Sequence, residues 1–107
     1  MNKILLLVNG QVAFDFVKEI SLEESELGFL DKMDGDMDKG VKINGQLIAE
    51  PDMQQRATFV TMNLIRALQQ NNKAVVTASC AFIANRLPDL AEIHVNDHDT
   101  GIFVEFV

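Results

Sequence analysis

Four aspartates between positions 31 and 38 are the side chains that most resemble a metal-binding motif. Counted from Asp34, the next two, Asp36 and Asp38, fall at positions 3 and 5 of an EF-hand calcium loop. The match fails at position 6, where Lys39 replaces glycine, and at position 12, where Gly45 replaces the bidentate glutamate. We therefore predict no metal site and no cofactor, and interpret the segment as a solvated acidic loop whose affinity for cations is left open.

The other potentially reactive side chains, histidine and cysteine, do not form a known catalytic motif. His94 and His98 are four residues apart, a spacing that converges on a metal in a helix but not on the strand and turn predicted here. Cys80 has no charged neighbour in sequence that would stabilise a thiolate, so we expect a buried, unreactive thiol. No catalytic residue is predicted. The sequence favours a function other than catalysis without deciding the question.

Arg56 and Arg66 are ten residues apart on a predicted helix and are the candidates for binding an anion. Guanidinium groups form bidentate contacts with carboxylates and phosphates. The same property suits them to internal salt bridges with acidic residues of this chain, which is the simpler expectation. An arginine-lined cleft for a small molecule or anion is therefore one of three functional hypotheses.

The negative charge of the chain lies in one segment. Residues 15–52 contain eleven acidic residues and four lysines, and so carry the whole net charge of −7. This distribution argues against direct binding of nucleic acid and of anionic membranes. A second hypothesis is that the segment imitates a polyanion and binds a basic protein surface. Its candidate contact residues are Glu23, Glu24, Asp34, Asp36 and Asp38.

A chain of 107 residues has room for a single domain, here residues 1–107. Its content of 48% hydrophobic and 23% charged residues is typical of globular proteins rather than disordered ones. The single cysteine allows no intramolecular disulfide, which indicates a reducing compartment. The apolar run at positions 4–8 is too short for a secretory signal or a membrane span, so we expect a cytoplasmic protein.

Two β-hairpins are predicted, one at each end of the chain. The dipeptide Asn9-Gly10 between apolar runs is typical of a type I′ turn and predicts a hairpin over residues 3–17, with Val8 opposite Gln11. Leu7 then lies opposite Val12, Leu6 opposite Ala13 and Leu5 opposite Phe14. The better core face carries Leu5, Leu7, Val12, Phe14 and Phe16. Residues 91–107 form the second hairpin, whose four-residue loop at 97–100 places Val95 opposite Ile102 and Ile93 opposite Val104.

A helix and a short hairpin are predicted to follow the first hairpin. Ser21 and Glu24 fit a capping box, and Asp34-Gly35 is expected to end the helix that they start. The segment 36–50 is interpreted as largely irregular. Within it, residues 41–43 and 46–48 around Asn44-Gly45 can form a very short hairpin.

Two further helices precede the C-terminal hairpin. Asp52 and Gln55 form a second capping box and start the clearest helix of the chain. The uncharged residues 74–85 are interpreted as a buried helix that ends before Pro88. The order β-β-α-α-α-β-β predicts an α+β fold in which an antiparallel sheet, built from the N-terminal and C-terminal hairpins, packs against two or three helices.

The long helix carries two apolar stripes, whereas a surface helix needs one. Phe59, Met62 and Ile65 lie on or near the side opposite the stripe that includes Ala57 and Leu64. Either the sheet and the 74–85 helix take one stripe each, or the second stripe binds another protein. The leading hypothesis is a protein-interaction or regulatory module that acts as a homodimer, with Phe59, Met62 and Ile65 as partner-binding residues.

Overall fold

The computed structural model describes residues 3–17, 24–99 and 101–107. The elements are β1 (Lys3–Val8), β2 (Gln11–Val17), α1 (Glu24–Met37), β3 (Val41–Ile43), β4 (Gln46–Ile48), α2 (Met53–Gln69), α3 (Lys73–Arg86), β5 (Glu92–His98) and β6 (Gly101–Phe106). The predicted α+β class and the element order are confirmed. Among the described residues, no helix is both long and apolar enough to cross a bilayer.

The two terminal hairpins join into one four-stranded sheet of order β2-β1-β5-β6, while β3 and β4 form a separate hairpin. Pairing is antiparallel within each hairpin, but β1 and β5 run parallel, with Leu6 opposite Ile93 and Val8 opposite Val95, so the sheet is mixed rather than antiparallel throughout as predicted. Parallel neighbours require a long crossover connection, and here the three helices and β3–β4 lie within it. β2 and β6 are therefore the two edges of the sheet.

The first hairpin has the predicted turn but a different core face. Asn9 and Gly10 have φ of 52° and 83°, and Val8 lies opposite Gln11 as predicted. A β-bulge at Ala13 then shifts the register, so that Leu6 lies opposite Phe14 and Ile4 opposite Phe16. The extra residue inverts the alternation of β2 relative to β1. The buried residues are Ile4, Leu6 and Phe16, while Val12 is 57% exposed, so the predicted pairing of Leu6 with Ala13 and the predicted core face are wrong.

The C-terminal hairpin has a shorter connection than predicted. His98 lies opposite Gly101 and Val95 opposite Val104, which leaves two residues between the strands instead of four. The register therefore differs from the prediction by two residues. Because side chains alternate with a period of two, this shift leaves each residue on its predicted face. Ile93 and Val95 are buried, and the β6 residues opposite them are half-buried.

α1 is longer at its C-terminal end than predicted. It continues through Asp34 and Gly35 to Met37. Met37 and Leu30 are buried in the core, and the burial of these apolar side chains stabilises the additional turn. The proposed N-cap Ser21 lies outside the described residues. β3 and β4 form the predicted short hairpin, with Val41 opposite Ile48.

α2 begins with the predicted capping box, in which the Gln55 amide donates to Asp52 Oδ1 at 2.8 Å and the Asp52 amide donates to Gln55 Oε1 at 2.9 Å. α3 is buried only in its second half, from Ser79 to Ala84, and its first residues are exposed, which corrects the expectation of a wholly buried helix. The core forms where this half of α3 meets α2 and one face of the sheet. Its largest fully buried side chains include Phe82, Leu64, Ile4, Leu6 and Ile93.

Candidate functional site

Asp34 lies at the centre of an ion-pair cluster that joins all three helices. Arg56 of α2 donates from Nη1 to Asp34 Oδ1 and to the Asp34 carbonyl, both at 3.1 Å. The Arg56 Nε donates to the Pro51 carbonyl at 3.1 Å, and its Nη2 donates to Asp38. One guanidinium therefore holds the end of α1 and the residue after it against the start of α2.

Arg86 of α3 approaches the same carboxylate from the other side. Its Nε and Nη2 donate to Asp34 Oδ2 at 3.1 and 2.9 Å, and Nη2 also donates to Asp31 Oδ1 at 3.0 Å. The guanidinium carbon lies 5.7 Å from the centre of the Phe82 ring. Asp34, with a side chain 22% exposed, is thus shared by two arginines whose side chains are 17% and 20% exposed. We refer to Asp31, Asp34, Asp38, Arg56 and Arg86 as the Asp34 cluster.

The carboxylates of the Asp34 cluster favour the charged form of Arg56. The pKa of Arg56 is raised, chiefly by its hydrogen bond to Asp38, with a further contribution from Asp34 that acts against partial desolvation. Positive and negative groups in the cluster satisfy one another. Arg56 therefore forms the internal salt bridges that were the simpler expectation, and it is not paired with Arg66, which lies exposed in the last turn of α2.

The acidic candidates for partner binding fall into two groups. Asp34 and Asp38 contact Arg56, and Asp34 also contacts Arg86. Glu24 and Asp36 are exposed on α1, and Glu23 lies outside the described residues. Asp34 and Asp36 belong to the helix rather than to a loop, so the EF-hand geometry does not form. Within the described chain, no group of three or more His, Cys, Asp and Glu side chains could hold a metal ion.

The second apolar stripe of α2 is only partly covered by the rest of the fold. Phe59, Met62 and Ile65 are all half-buried. Ile65 lines an open, mostly apolar groove of about 450 Å³ between the C-terminal half of α2 and the first hairpin. We call this the Ile65 groove; its other lining residues are Leu6, Val8, Ala13, Leu68 and Gln69. Phe59 and Met62 do not line this groove, so of the three predicted contact residues Ile65 alone belongs to it.

A larger groove of about 520 Å³ lies between α1 and α3. Its lining includes the apolar Phe29 and Ala78 and the charged Lys73 and Glu26. Neither this groove nor the Ile65 groove has an arginine in its lining. The arginine-lined cleft predicted for an anion or small molecule is therefore not found at either groove.

The two edges of the sheet differ in a way that the sequence did not predict. At β6, the Asn44 side chain donates from Nδ2 to the Ile102 carbonyl at 2.9 Å and accepts from the Ile102 amide at 2.8 Å. Asn44 thus satisfies the backbone of Ile102, whereas Val104 and Phe106, whose backbones also face away from β5, have no such partner among the described residues. Gly101 allows this approach, because a Cβ there would lie 2.7 Å from Asn44 Cγ. No local signal relates Asn44 to Ile102, since they are 58 residues apart.

The edge at β2 has no such closure. Among the described residues, the backbone of β2 makes hydrogen bonds to β1 alone. Val12 and Val17 are 57% and 52% exposed on this strand. Ala13, at the bulge, belongs both to the edge and to the Ile65 groove. Val12 and Val17 pair with Leu7 and Lys3, so they lie on the face of the sheet opposite to Leu6 and Val8 of the groove, and Ala13 alone is shared by the edge and the groove.

The side chains that could act as a nucleophile or a base are buried or contact other residues of the fold. Cys80 is buried, and desolvation raises its pKa to about 12, so the thiol is protonated at neutral pH. His94 Nε2 lies 2.7 Å from Glu92 Oε1, and His94 lies opposite Glu105 across the hairpin. His98 contacts the Phe103 ring instead.

Comparison of the chain with known protein families, curated proteins and solved structures finds no match.

Proposed function

We propose that this chain is a non-catalytic protein-interaction module that acts as a homodimer through the Ile65 groove. The observation that supports the proposal is an apolar groove left open after the core has formed. Ile65 and Leu68 are only half-buried there, beside the exposed Ala13. Burial of apolar surface is the main favourable term in association, so an exposed groove of this kind favours a partner.

The charged groups support an apolar contact over an electrostatic one. Two of the acidic candidates, Asp34 and Asp38, already neutralise Arg56 within the Asp34 cluster. A polyanion mimic would have to rely on exposed residues such as Glu24 and Asp36. The protonated thiol of Cys80 likewise supports a structural role for that residue rather than nucleophilic chemistry.

Multi-angle light scattering over a concentration series tests the proposal. The wild-type chain is expected to have the mass of a dimer at about 50 µM and to dissociate on dilution. Ala13→Lys places a charge on the exposed side of the Ile65 groove and is expected to give a folded monomer, because an unpaired charge is costly to bury. Ile65→Lys, at another residue of the groove lining, is expected to do the same.

Val75→Lys is the matched control, because Val75 is a 37% exposed hydrophobic residue on α3, outside the Ile65 groove. This variant should remain dimeric. Circular dichroism establishes whether each variant is folded. If Ile65→Lys unfolds the chain, the mass of Ala13→Lys alone tests whether the groove is the dimer interface. A wild-type chain that is monomeric throughout the series would overturn the proposal.

A further inference from the structure

We propose that the groove between α1 and α3 binds a single-chain fatty carboxylate, with the alkyl chain along the groove and the carboxylate at Lys73. We call it the α1–α3 groove. Its volume of about 520 Å³ lies within the range of small-molecule sites, about 300–1,000 Å³. It shares no lining residue with the Ile65 groove, so the inference does not depend on the proposed homodimer.

The two helices that form the α1–α3 groove run in the same general direction. Arg86, at the end of α3, contacts Asp31 and Asp34 in the second half of α1. The groove instead lies along residues 25–30 of α1 and 73–81 of α3, which include the first turns of both helices. The groove therefore begins at the amino-terminal ends of α1 and α3 and leads towards the Asp34 cluster.

The first half of α3 exposes a surface without charge. Residues 74–85 contain no charged side chain, which is why a wholly buried helix was expected. In the structure, however, Ala74 and Thr77 are exposed and Ala78 is half-buried. These small side chains leave space opposite Phe29 of α1, which is 50% exposed. A solvated helix face normally carries charged residues, and an apolar occupant of the groove accounts for their absence here.

Lys73 gives the α1–α3 groove a positive charge that the fold does not compensate. It makes no ion pair within the described part of the chain. Glu26, the other charged lining residue, has a partner in the fold. A carboxylate on the occupant complements Lys73, whereas a cationic head group would be repelled by it.

The length of the α1–α3 groove sets the length of the alkyl chain. From Lys73 to Ala81 the axis of α3 advances about 12 Å, at about 1.5 Å per residue. An extended alkyl chain, with bonds of about 1.5 Å and angles of about 111°, advances about 1.25 Å per bond. A chain of about ten carbons therefore fits between these two residues. Beyond Ala81, α3 leads to Arg86, where a longer chain would meet the charges of the Asp34 cluster.

NMR titration of the full chain with sodium decanoate, below the concentration at which it forms micelles, tests the inference. Saturable shifts are expected for the amides of residues 74–78, with a Kd of about 0.1–1 mM. Lys73→Glu should weaken decanoate binding about tenfold but leave the binding of neutral 1,2-decanediol within about twofold, because only the carboxylate responds to the reversed charge. Lys32→Glu is the matched control, since Lys32 lies exposed on α1 outside the groove lining, and it should bind decanoate like the wild type.

Three results would overturn the inference. The first is the absence of saturable shifts at the groove. The second is an equal loss of decanoate and decanediol binding in Lys73→Glu. The third is binding of decyltrimethylammonium as tight as that of decanoate, since Lys73 should disfavour a cation.

Filling the α1–α3 groove distinguishes a ligand site from a contact between copies. Ala78→Phe places a ring in the groove and should abolish the binding of decanoate and decanediol alike. If circular dichroism shows that this variant is unfolded, the comparison of the two ligands in Lys73→Glu still tests the inference. A folded Ala78→Phe that converts a wild-type dimer to a monomer in light scattering would identify the groove as an interface between copies and refute the ligand site. Decanoate binding by a chain that is monomeric throughout would support this inference while refuting the homodimer.

Discussion

Replacing Asp34 by asparagine should loosen α1 from the other two helices. Asp34 accepts three side-chain hydrogen bonds, one from Arg56 and two from Arg86. Apart from this cluster, α1 is held mainly by the burial of Leu30 and Met37. The asparagine side chain would keep one acceptor oxygen but would lack the charge that both guanidinium groups face.

The expected loss of stability is about 2 kcal/mol. Hydrogen bonds to charged groups contribute about 1.5–3 kcal/mol each, but the retained oxygen and the partial exposure of Asp34 reduce the total. For a domain of this size, the corresponding fall in melting temperature is roughly 10 °C. The loss should concentrate in α1, because Arg56 keeps its bonds to Asp38 and to the Pro51 carbonyl.

Thermal unfolding together with hydrogen–deuterium exchange measures both effects. In Asp34→Asn, amides of α1 should exchange faster than those of α3, whose core half contains Phe82. Asp36→Asn is the matched control, because Asp36 lies exposed on the same helix and outside the Asp34 cluster; it should change stability by less than about 0.5 kcal/mol. If the two variants melt at the same temperature, the reasoning about the cluster is refuted.

Two more changes test other parts of the fold. Gly101→Ala should destabilise the chain by about 1–3 kcal/mol in a urea titration, because its Cβ would meet Asn44 at 2.7 Å and its φ is 143°. The control is Gly28→Ala, where the new Cβ lies in open space on α1. This variant should instead stabilise the chain by about 0.5–1 kcal/mol in the same titration. The pKa of Cys80 is raised from 9.0 to about 12 in the folded chain, so its contribution to stability is complete below pH 9 and is lost as pH rises towards 12. Urea unfolding should show a slope of at most about 1.4 kcal/mol per pH unit in that window, and an identical slope in Cys80→Ala would exclude this cause.

Local sequence signals determined most of the secondary structure. The turns at Asn9-Gly10 and Asn44-Gly45, the Asp52 capping box and the element order were all predictable, because each depends on residues within a few positions of one another. The faces of the C-terminal hairpin also followed from alternation, even though its register was two residues off. The end of α1 did not follow, since the burial of Met37 depends on distant residues.

Long-range contacts decided the surfaces on which the functional proposals rest. The bulge at Ala13 shifts the pairing of β2 with β1, and the buried face of β1 is the opposite of the predicted one. Alternation alone cannot predict an inserted residue. The sequence indicated salt bridges between arginines and the acidic segment, but only the fold selected Asp34 as the residue shared by Arg56 and Arg86. The acidity of the chain and its surplus of apolar residues follow from composition. Which carboxylates pair with arginines, and which residue of the β6 edge Asn44 pairs with, follow from residues more than twenty positions apart that the tertiary structure brings together.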